Sequence, residues 1–309
     1  MTSASATALA RTGLAGHPSD GYGGATLSVT LRNFAAEVQA APAPSLDIAP
    51  SGDGQWPEGG QPLIAAAVAR FERHCALASV PFDGRVRIRY RSTIPREVGL
   101  GGSSAIVIAT LRALAGVGGI TIEREQLPAL ALAVETEELG IAAGLQDRVA
   151  QTYGGLTFMD FEHGSYEPLP PSLLPPLYVA WLPAAGAASG SAHAAVRARH
   201  ERGEREVVGA MGTLARLAHE ARSALLAGDH DAFAQAIDAG HDVRASIFEL
   251  DPRHTRLVER ARSLGLCATY TGSGGAITGI ISDDEALIAL ARRLAPDGAH
   301  VAAALVGAP

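Results

Sequence analysis

The run Pro95-Arg96-Glu97-Val98-Gly99-Leu100-Gly101-Gly102-Ser103-Ser104-Ala105 leads directly into an apolar stretch. Glycines let backbone N–H groups close around an anion, and the N-terminus of a following helix adds positive potential at the same place. Ser103 and Ser104 can cap such a helix, and a serine hydroxyl also reaches phosphate or magnesium. Residue types alone allow two readings, a phosphate cradle or a capped helix after a glycine turn. A second segment is Gly144-Leu145-Gln146-Asp147-Arg148, with Glu135, Glu137 and Glu138 upstream. There Asp147 can act as a general base and the glutamates can hold magnesium. The plain alternative is two solvated helix faces with an Asp147–Arg148 surface pair. Thr271-Gly272-Ser273-Gly274-Gly275-Ala276 reads as a glycine turn between strands, and Arg11 to Asp20 as a turn carrying a cation, the imidazole of His17 and a carboxylate.

The elements that must position these groups are legible in the hydrophobic spacing. Leu27, Val29 and Leu31 alternate with Thr26, Ser28 and Thr30, which predicts a strand with one polar face. Residues 51–60 are a loop, and Leu63, Ala67, Phe71 and Cys75 then mark one side of a helix. Val86, Ile88 and Tyr90 alternate with arginines on a solvated face. Ser103 to Leu114 reads as a buried helix, followed by helices over 124–139 and 145–151 and a strand over 156–161. The prolines from Pro168 to Pro176 mark a boundary. Beyond them come a strand over 177–182, a long loop through Gly186 and Gly190, and a helical stripe from Val207 to Leu225. Phe233, Ile237 and His241 begin another helix. Strands over 267–270 and 277–281 flank the late glycine turn, and Ser282 to Glu285 reads as a capping box. The pattern predicts an α+β protein of two domains.

Composition narrows the chemistry. The chain has 309 residues, a formal net charge of −7, and arginine at all 25 basic positions. Without lysine, Schiff-base and P-loop-lysine mechanisms are excluded. A sequence pI near 5.8 argues against a nucleic-acid binder. Cys75 and Cys267 fit a reducing compartment, and no histidine or cysteine spacing suggests structural zinc. The opening residues lack a signal-peptide pattern, and prolines interrupt the longest charge-free stretch, so a cytoplasmic protein without membrane spans is expected.

Together the four segments resemble the GHMP kinase superfamily, whose members carry an N-terminal substrate segment, a Pro-x-x-x-Gly-Leu-Gly-Ser-Ser-Ala phosphate loop and a late glycine-rich loop. This chain departs at Gly101-Gly102, two residues where most members have one. That departure, with the runs over residues 16–34, 144–161 and the 189–199 loop, is similar to glucuronokinase-like sugar-1-kinases. The resemblance implies a two-domain GHMP kinase fold. Residues 1–172 would form a ribosomal-protein-S5-like domain holding ATP phosphates, magnesium and the catalytic base. Residues 173–309 would form a ferredoxin-like α+β domain with the late glycine motif and a substrate loop.

Carried over by position, the resemblance makes Asp147 the base and Arg11 the cation beside it. Gly99, Gly101, Gly102, Ser103, Ser104, Gly272, Ser273 and Gly274 would surround the nucleotide. Ser104 and Glu135, with Glu138 as the alternative, would ligate magnesium. His17, Asp20, Tyr22, Gly23 and His193 would meet the sugar, and Gly24 would help to shape its pocket. A uronate needs a cation for its carboxylate: Arg197 is the first choice, ahead of Arg199, His193 and Arg148. Trp56 lies in a loop that could approach adenine.

The expected activity is ATP- and Mg2+-dependent phosphorylation of a sugar anomeric hydroxyl, with glucuronate to glucuronate 1-phosphate foremost. Other sugars, a mevalonate-like alcohol and a non-catalytic sensor are the alternatives. A small-molecule substrate, no nucleic-acid or membrane partner, and a monomer or homodimer complete the expectation.

Overall fold

The protein is seen in a computed structural model that describes residues 2–51, 60–183, 189–272 and 274–307, with side chains left aside at 189–192. Trp56 and Ser273 lie outside the described residues. The chain opens with β1 (Ala4–Ala15), antiparallel to β2 (Ala25–Pro42), with Arg11 opposite Thr30. Arg11 therefore sits in a strand rather than in the expected turn. From Ala8 to Ala15 every residue is buried, so the strand has no polar face and no alternation to read. The turn proper begins after Ala15 and contains a short 3-10 segment, Ser19–Tyr22.

The expected polar face of β2 exists but is not solvated, since Thr26, Ser28 and Thr30 are fully buried. Two of the three hydroxyls have partners, and Thr26 Oγ1 has none among the described residues. Ser28 Oγ accepts from Gln146 Nε2 at 2.8 Å, and Thr30 Oγ1 donates to Gly307 O at 2.5 Å and accepts from Gly155 N at 2.7 Å.

Next come β3 (Asp47–Pro50), α1 (Gly60–Leu77) and β4 (Val86–Ser92). In β4 the apolar side is buried and the arginines face outward, Arg89 and Arg91 pairing with Asp47 and Glu37. Helix α2 (Gly102–Gly118) is apolar around nearly its whole circumference and packs against β1 and β2. The single helix expected over 124–139 is α3 (Leu127–Ala133) continued by a π-helical turn, Val134–Glu138, which buries Glu135. Then follow α4 (Gln146–Tyr153), β5 (Leu156–Asp160) and β6 (Ser165–Leu169). Strand β6 was not expected; its Pro168 is tolerated because the strand forms the sheet edge. The first sheet runs β3-β4-β2-β5-β6, with β1 paired to β2.

A second, antiparallel sheet starts after the prolines with β7 (Leu177–Trp181). Helices α5 (Ser189–Glu201), α6 (Arg205–Ala227), α7 (His230–Ile247) and α8 (Pro252–Arg262) follow. The supposed loop over 189–199 is thus helical. Strands β8 (Thr269–Tyr270) and β9 (Ala276–Ile280), helix α9 (Asp284–Leu294) and β10 (His300–Ala303) complete the sheet in the order β10-β7-β9-β8. Helix α9 is capped one residue later than read, by Asp283, whose carboxylate accepts from Ala286 N at 2.8 Å. Helix α6 lays its apolar stripe on β2, so one continuous core joins the two sheets. Among the described residues no helix is long and apolar enough to cross a membrane.

Candidate active site

The two glycine runs meet backbone to backbone. Gly99 has φ +72°, and a Cβ there would lie 2.2 Å from Thr271 O. From the other side, a Cβ at Gly275 would lie 2.7 Å from Val98 Cα, and Thr271 Oγ1 donates to Val98 O at 3.1 Å. No side chain fits between these loops, which explains glycine at both places. A cavity of about 590 Å³ opens beside them, lined by the loop over 95–104, by Arg11, Glu135, Asp147, Arg148 and Gly272, and by the sugar-segment candidates His17, Asp20, Tyr22, His193 and Arg197. Gly23 and Gly274 do not line it; Gly21 does. A Cβ on Gly274 would point at His254 and Tyr270 instead.

The start of α2 differs from the capped helix that serines at 103 and 104 suggest. Its N-cap is Gly101 in a left-handed conformation, with no side-chain cap. Ser104 Oγ instead donates to Gly101 O at 3.1 Å. The N–H groups of the first turn therefore remain for an anion in the cavity. Gly101 O also accepts from Gln151 Nε2 at 2.8 Å, and the same amide reaches Leu9 O at 2.9 Å. Gln151 thus locks the loop to β1. Its spacing of four residues from Asp147 on α4 was the only available signal for it.

Asp147 pairs with Arg11 and not with Arg148. Arg11 Nε and Nη2 both lie 2.6 Å from Asp147 Oδ1, and Arg11 Nη1 donates to Gly99 O at 2.5 Å. Both contacts fall on Oδ1, and Asp147 lines the cavity with its side chain 23% exposed. Arg148 turns the other way: its Nη2 donates to Glu135 Oε2, its Nη1 to Gly144 O at 2.8 Å, and both partners of the ion pair are buried. Glu138 faces Arg70 and Arg73, away from the cavity. No group of three or more His, Cys, Asp or Glu side chains placed to hold a metal ion occurs among the described residues. Ser104 and Glu135 nevertheless both line the cavity and carry oxygen donors, the type suited to Mg2+ that arrives with phosphates and keeps several waters.

Asp20 approaches Gly144, where a Cβ would stand 2.8 Å from its Oδ2. Burial, then the charge of Asp147, pushes the Asp20 carboxyl up to about 6. His17 Nε2 lies 2.6 Å from Tyr270 O; since a carbonyl only accepts, Nε2 carries the proton and Nδ1 holds an unpartnered lone pair. Burial, then the Arg244 charge, pushes His17 down to about 3. His193 and His241 are pushed down to about 4, each chiefly by burial. Such histidines are neutral near pH 7, so His193 is no cation for a carboxylate.

These shifts predict acid sensitivity. Each histidine is neutral in the folded protein but takes up a proton in the unfolded chain below about pH 6.5. Its stabilising contribution is present above pH 6.5 and is lost as pH falls toward 4 and 3. Asp20 acts oppositely, contributing below pH 3.8 and losing that contribution as pH rises through about 6. Three histidines outweigh one carboxyl. For buried His17 alone the loss is about 5 kcal/mol once pH is below 3 and about 3 kcal/mol by pH 4.5. Melting temperatures measured from pH 7 to 4.5 are expected to fall by more than 10 °C, and a flat profile would mean that these imidazoles are protonated in the fold.

Arg197 is exposed at the rim, its guanidinium 5.5 Å from the centroid of Tyr22, with no ion pair among the described residues. Arg199 is held by Glu204 at 2.8 Å and by Ile247 O, off the cavity. One buried arginine escaped the reading of the sequence altogether. Arg244 of α7 donates from Nη2 to Gly272 O at 2.7 Å. It continues the apolar stripe Phe233, Ile237, His241 at helical spacing, and an arginine in that register was the available signal.

Comparison with known proteins agrees with this geometry. Residues 62–155 match the family described as GHMP kinases N terminal domain, and residues 221–299 match GHMP kinases C terminal. Glucuronokinase 1 of Arabidopsis thaliana is 36% identical over 87% of this chain and 82% of its own length. Probable glucuronokinase 2 of the same plant is 37% identical over 87% and 81%. Among solved structures, the galactose complex of Lactococcus lactis galactokinase superposes with a TM-score of 0.80 at 17% identity, covering 99% of this chain and 94% of the other. The two-domain fold expected from the motifs is therefore that of the structure.

Proposed function

Because the chain belongs to the GHMP kinase family and is an ATP-dependent small-molecule kinase, we propose that it phosphorylates the anomeric hydroxyl of a sugar, and that the sugar is glucuronate. The reading divides the chain at residues 172/173, between the two sheets, and places the reaction in the cavity where their glycine loops meet. Asp147 Oδ2 accepts the proton of the anomeric hydroxyl. The freed oxygen attacks the γ-phosphorus, the bond to the β,γ-bridging oxygen breaks, and ADP leaves with that electron pair. Arg11 fixes Asp147 by two contacts on Oδ1 and spreads positive charge along Gly99. The first turn of α2 supplies N–H groups to the phosphates. Ser104 and Glu135 would hold Mg2+, which when bound neutralises phosphate charge. No lysine is needed, since Arg11 and the helix terminus provide the positive potential.

The observation that carries the uronate assignment is the state of the arginines. Arg11 is committed to Asp147, Arg148 to Glu135 and Arg199 to Glu204, whereas Arg197 lines the cavity without an ion pair among the described residues. His17, Asp20, Gly21 and Tyr22 present the polar edge that sugar hydroxyls require.

Coupled ADP release with MgATP tests the reading across glucuronate, galacturonate, glucose, galactose, mannose, a heptose and mevalonate. Turnover confined to a uronate is expected. The Arg197→Gln variant is expected to raise KM for glucuronate about 30-fold while changing that for any slowly used neutral hexose less than threefold. Equal changes for both would place the carboxylate elsewhere, and preferred turnover of a neutral sugar would discard the uronate.

A further inference from the structure

Arg244 is 2% exposed and lies directly behind the cavity wall, yet the site described above gives it no task. Its Nη2 holds Gly272 O, while Nε and Nη1 are buried without any hydrogen-bond partner. No carboxylate forms an ion pair with it among the described residues. The rings of Phe248 and Tyr270, with centroids 5.5 and 5.6 Å from its Cζ, are its compensation. A buried guanidinium with two orphaned nitrogens is costly to the folded state, more than an apolar side chain of similar volume would be.

Gly272 connects this residue to the reacting groups. With φ +43°, it packs so tightly that a Cβ would stand 2.8 Å from Arg11 Nη2 and 2.8 Å from Gly99 O. Arg244 and Arg11 therefore flank one glycine, the first holding its carbonyl and the second lying against its Cα. Arg11 is matched by Asp147 at 2.6 Å, whereas Arg244, on the other side of the same glycine, has no carboxylate ion-pair partner among the described residues.

We propose that Arg244 is a positioning residue for phosphoryl transfer: its buried charge, offset in part by two aromatic rings and by no ion pair, is completed by the anionic substrate entering the cavity, and its bond to Gly272 transmits that demand to the loop against Arg11. The unliganded protein carries an unfavourable arrangement that the loaded protein relieves. The inference rests on the phosphate-binding reading of the cavity, but not on which sugar is used.

Three substitutions separate this from a merely structural tie. Arg244→Met removes charge and donor at similar volume, Arg244→Lys keeps both, and Arg244→Gln keeps a donor alone. The measurements are melting temperature without ligand, melting shift with saturating MgATP, and kcat with the sugar found active. For Arg244→Met the expectation is an unliganded melting temperature equal to or above that of the wild type. Its MgATP shift should be at least halved, and kcat should fall 10- to 100-fold with sugar KM changed less than threefold. Arg244→Lys should recover the shift and most of kcat, and Arg244→Gln should recover neither.

A methionine variant that melts lower or fails to accumulate, or one whose MgATP shift is unchanged, overturns the proposal. So does a glutamine variant that behaves as lysine does. If no sugar is turned over by the wild type, the melting measurements still decide the role of Arg244. A wild type that shows no shift with MgATP would instead reject the phosphate-binding reading of the cavity.

Discussion

Replacing Asp147 by asparagine is expected to lower kcat by about a thousandfold, the scale of a lost general base. The change is isosteric, and an asparagine carbonyl oxygen at the Oδ1 position still accepts from Arg11 Nε and Nη2. What disappears is the second carboxylate oxygen, which the arginine contacts on Oδ1 leave unused. An amide nitrogen there cannot take a proton. Because the phosphate contacts come from the α2 terminus and the glycine loops, the ATP dissociation constant should stay within threefold of the wild type. Single-turnover kinetics and calorimetric ATP binding check the two halves separately. A kcat within tenfold of the wild type would remove Asp147 from the base role.

The second large effect concerns Glu135 and Arg148. Their ion pair is buried on both sides, with side-chain exposures of 4% and 6%. Glu135→Gln leaves a guanidinium in the interior with its charge unmatched, at an expected cost of about 3–5 kcal/mol. Urea unfolding should show it as a lowered midpoint. The double variant Glu135→Gln with Arg148→Met removes both charges, and most of the loss should return. Activity should follow a different rule. Both variants lack the carboxylate proposed to hold Mg2+, so turnover should be down at least a hundredfold in each, with the metal requirement shifted to higher concentration. Stability restored without activity is the signature of a carboxylate with two partners, Arg148 for folding and the metal for the reaction. Activity returning together with stability would show that Glu135 serves the fold only.

The parts of the fold with strong periodicity were legible. The helix over Leu63 to Cys75, the stripe from Val207 to Leu225 and the alternating strand Val86–Tyr90 all stand where the spacing puts them, because each buries one face and wets the other. Strand β1 was not legible, for the opposite reason: with both faces covered, its small buried residues alternate with nothing. Helix α5 hid for want of an apolar stripe, since Ser189-Gly190-Ser191 and a mixture of alanine and arginine resemble a loop by composition. Helix α8 went unread although His254, Leu257, Val258 and Ala261 stand at helical spacing on its buried face, because only three of those four residues are apolar.

The site divides in the same way. Glycine content alone left the loop over 95–105 open between an anion cradle and a capped helix, and the late loop as a turn; the resemblance of the four segments taken together pointed to the family. The types present also excluded every mechanism that needs a lysine ammonium. Pairing left no compositional mark. Sequence neighbours suggested Asp147 with Arg148, and the fold instead joins Asp147 to Arg11, 136 residues away, and Arg148 to Glu135. Arg244 shows the same limit: its register on the apolar stripe of Phe233, Ile237 and His241 marks it as buried, but nothing local says that Gly272 is what it holds. Composition and spacing determine what local backbone chemistry can form. Which charge meets which is settled only when strands and helices distant in the chain exclude water between them, because only then does the choice of partner carry a large free energy.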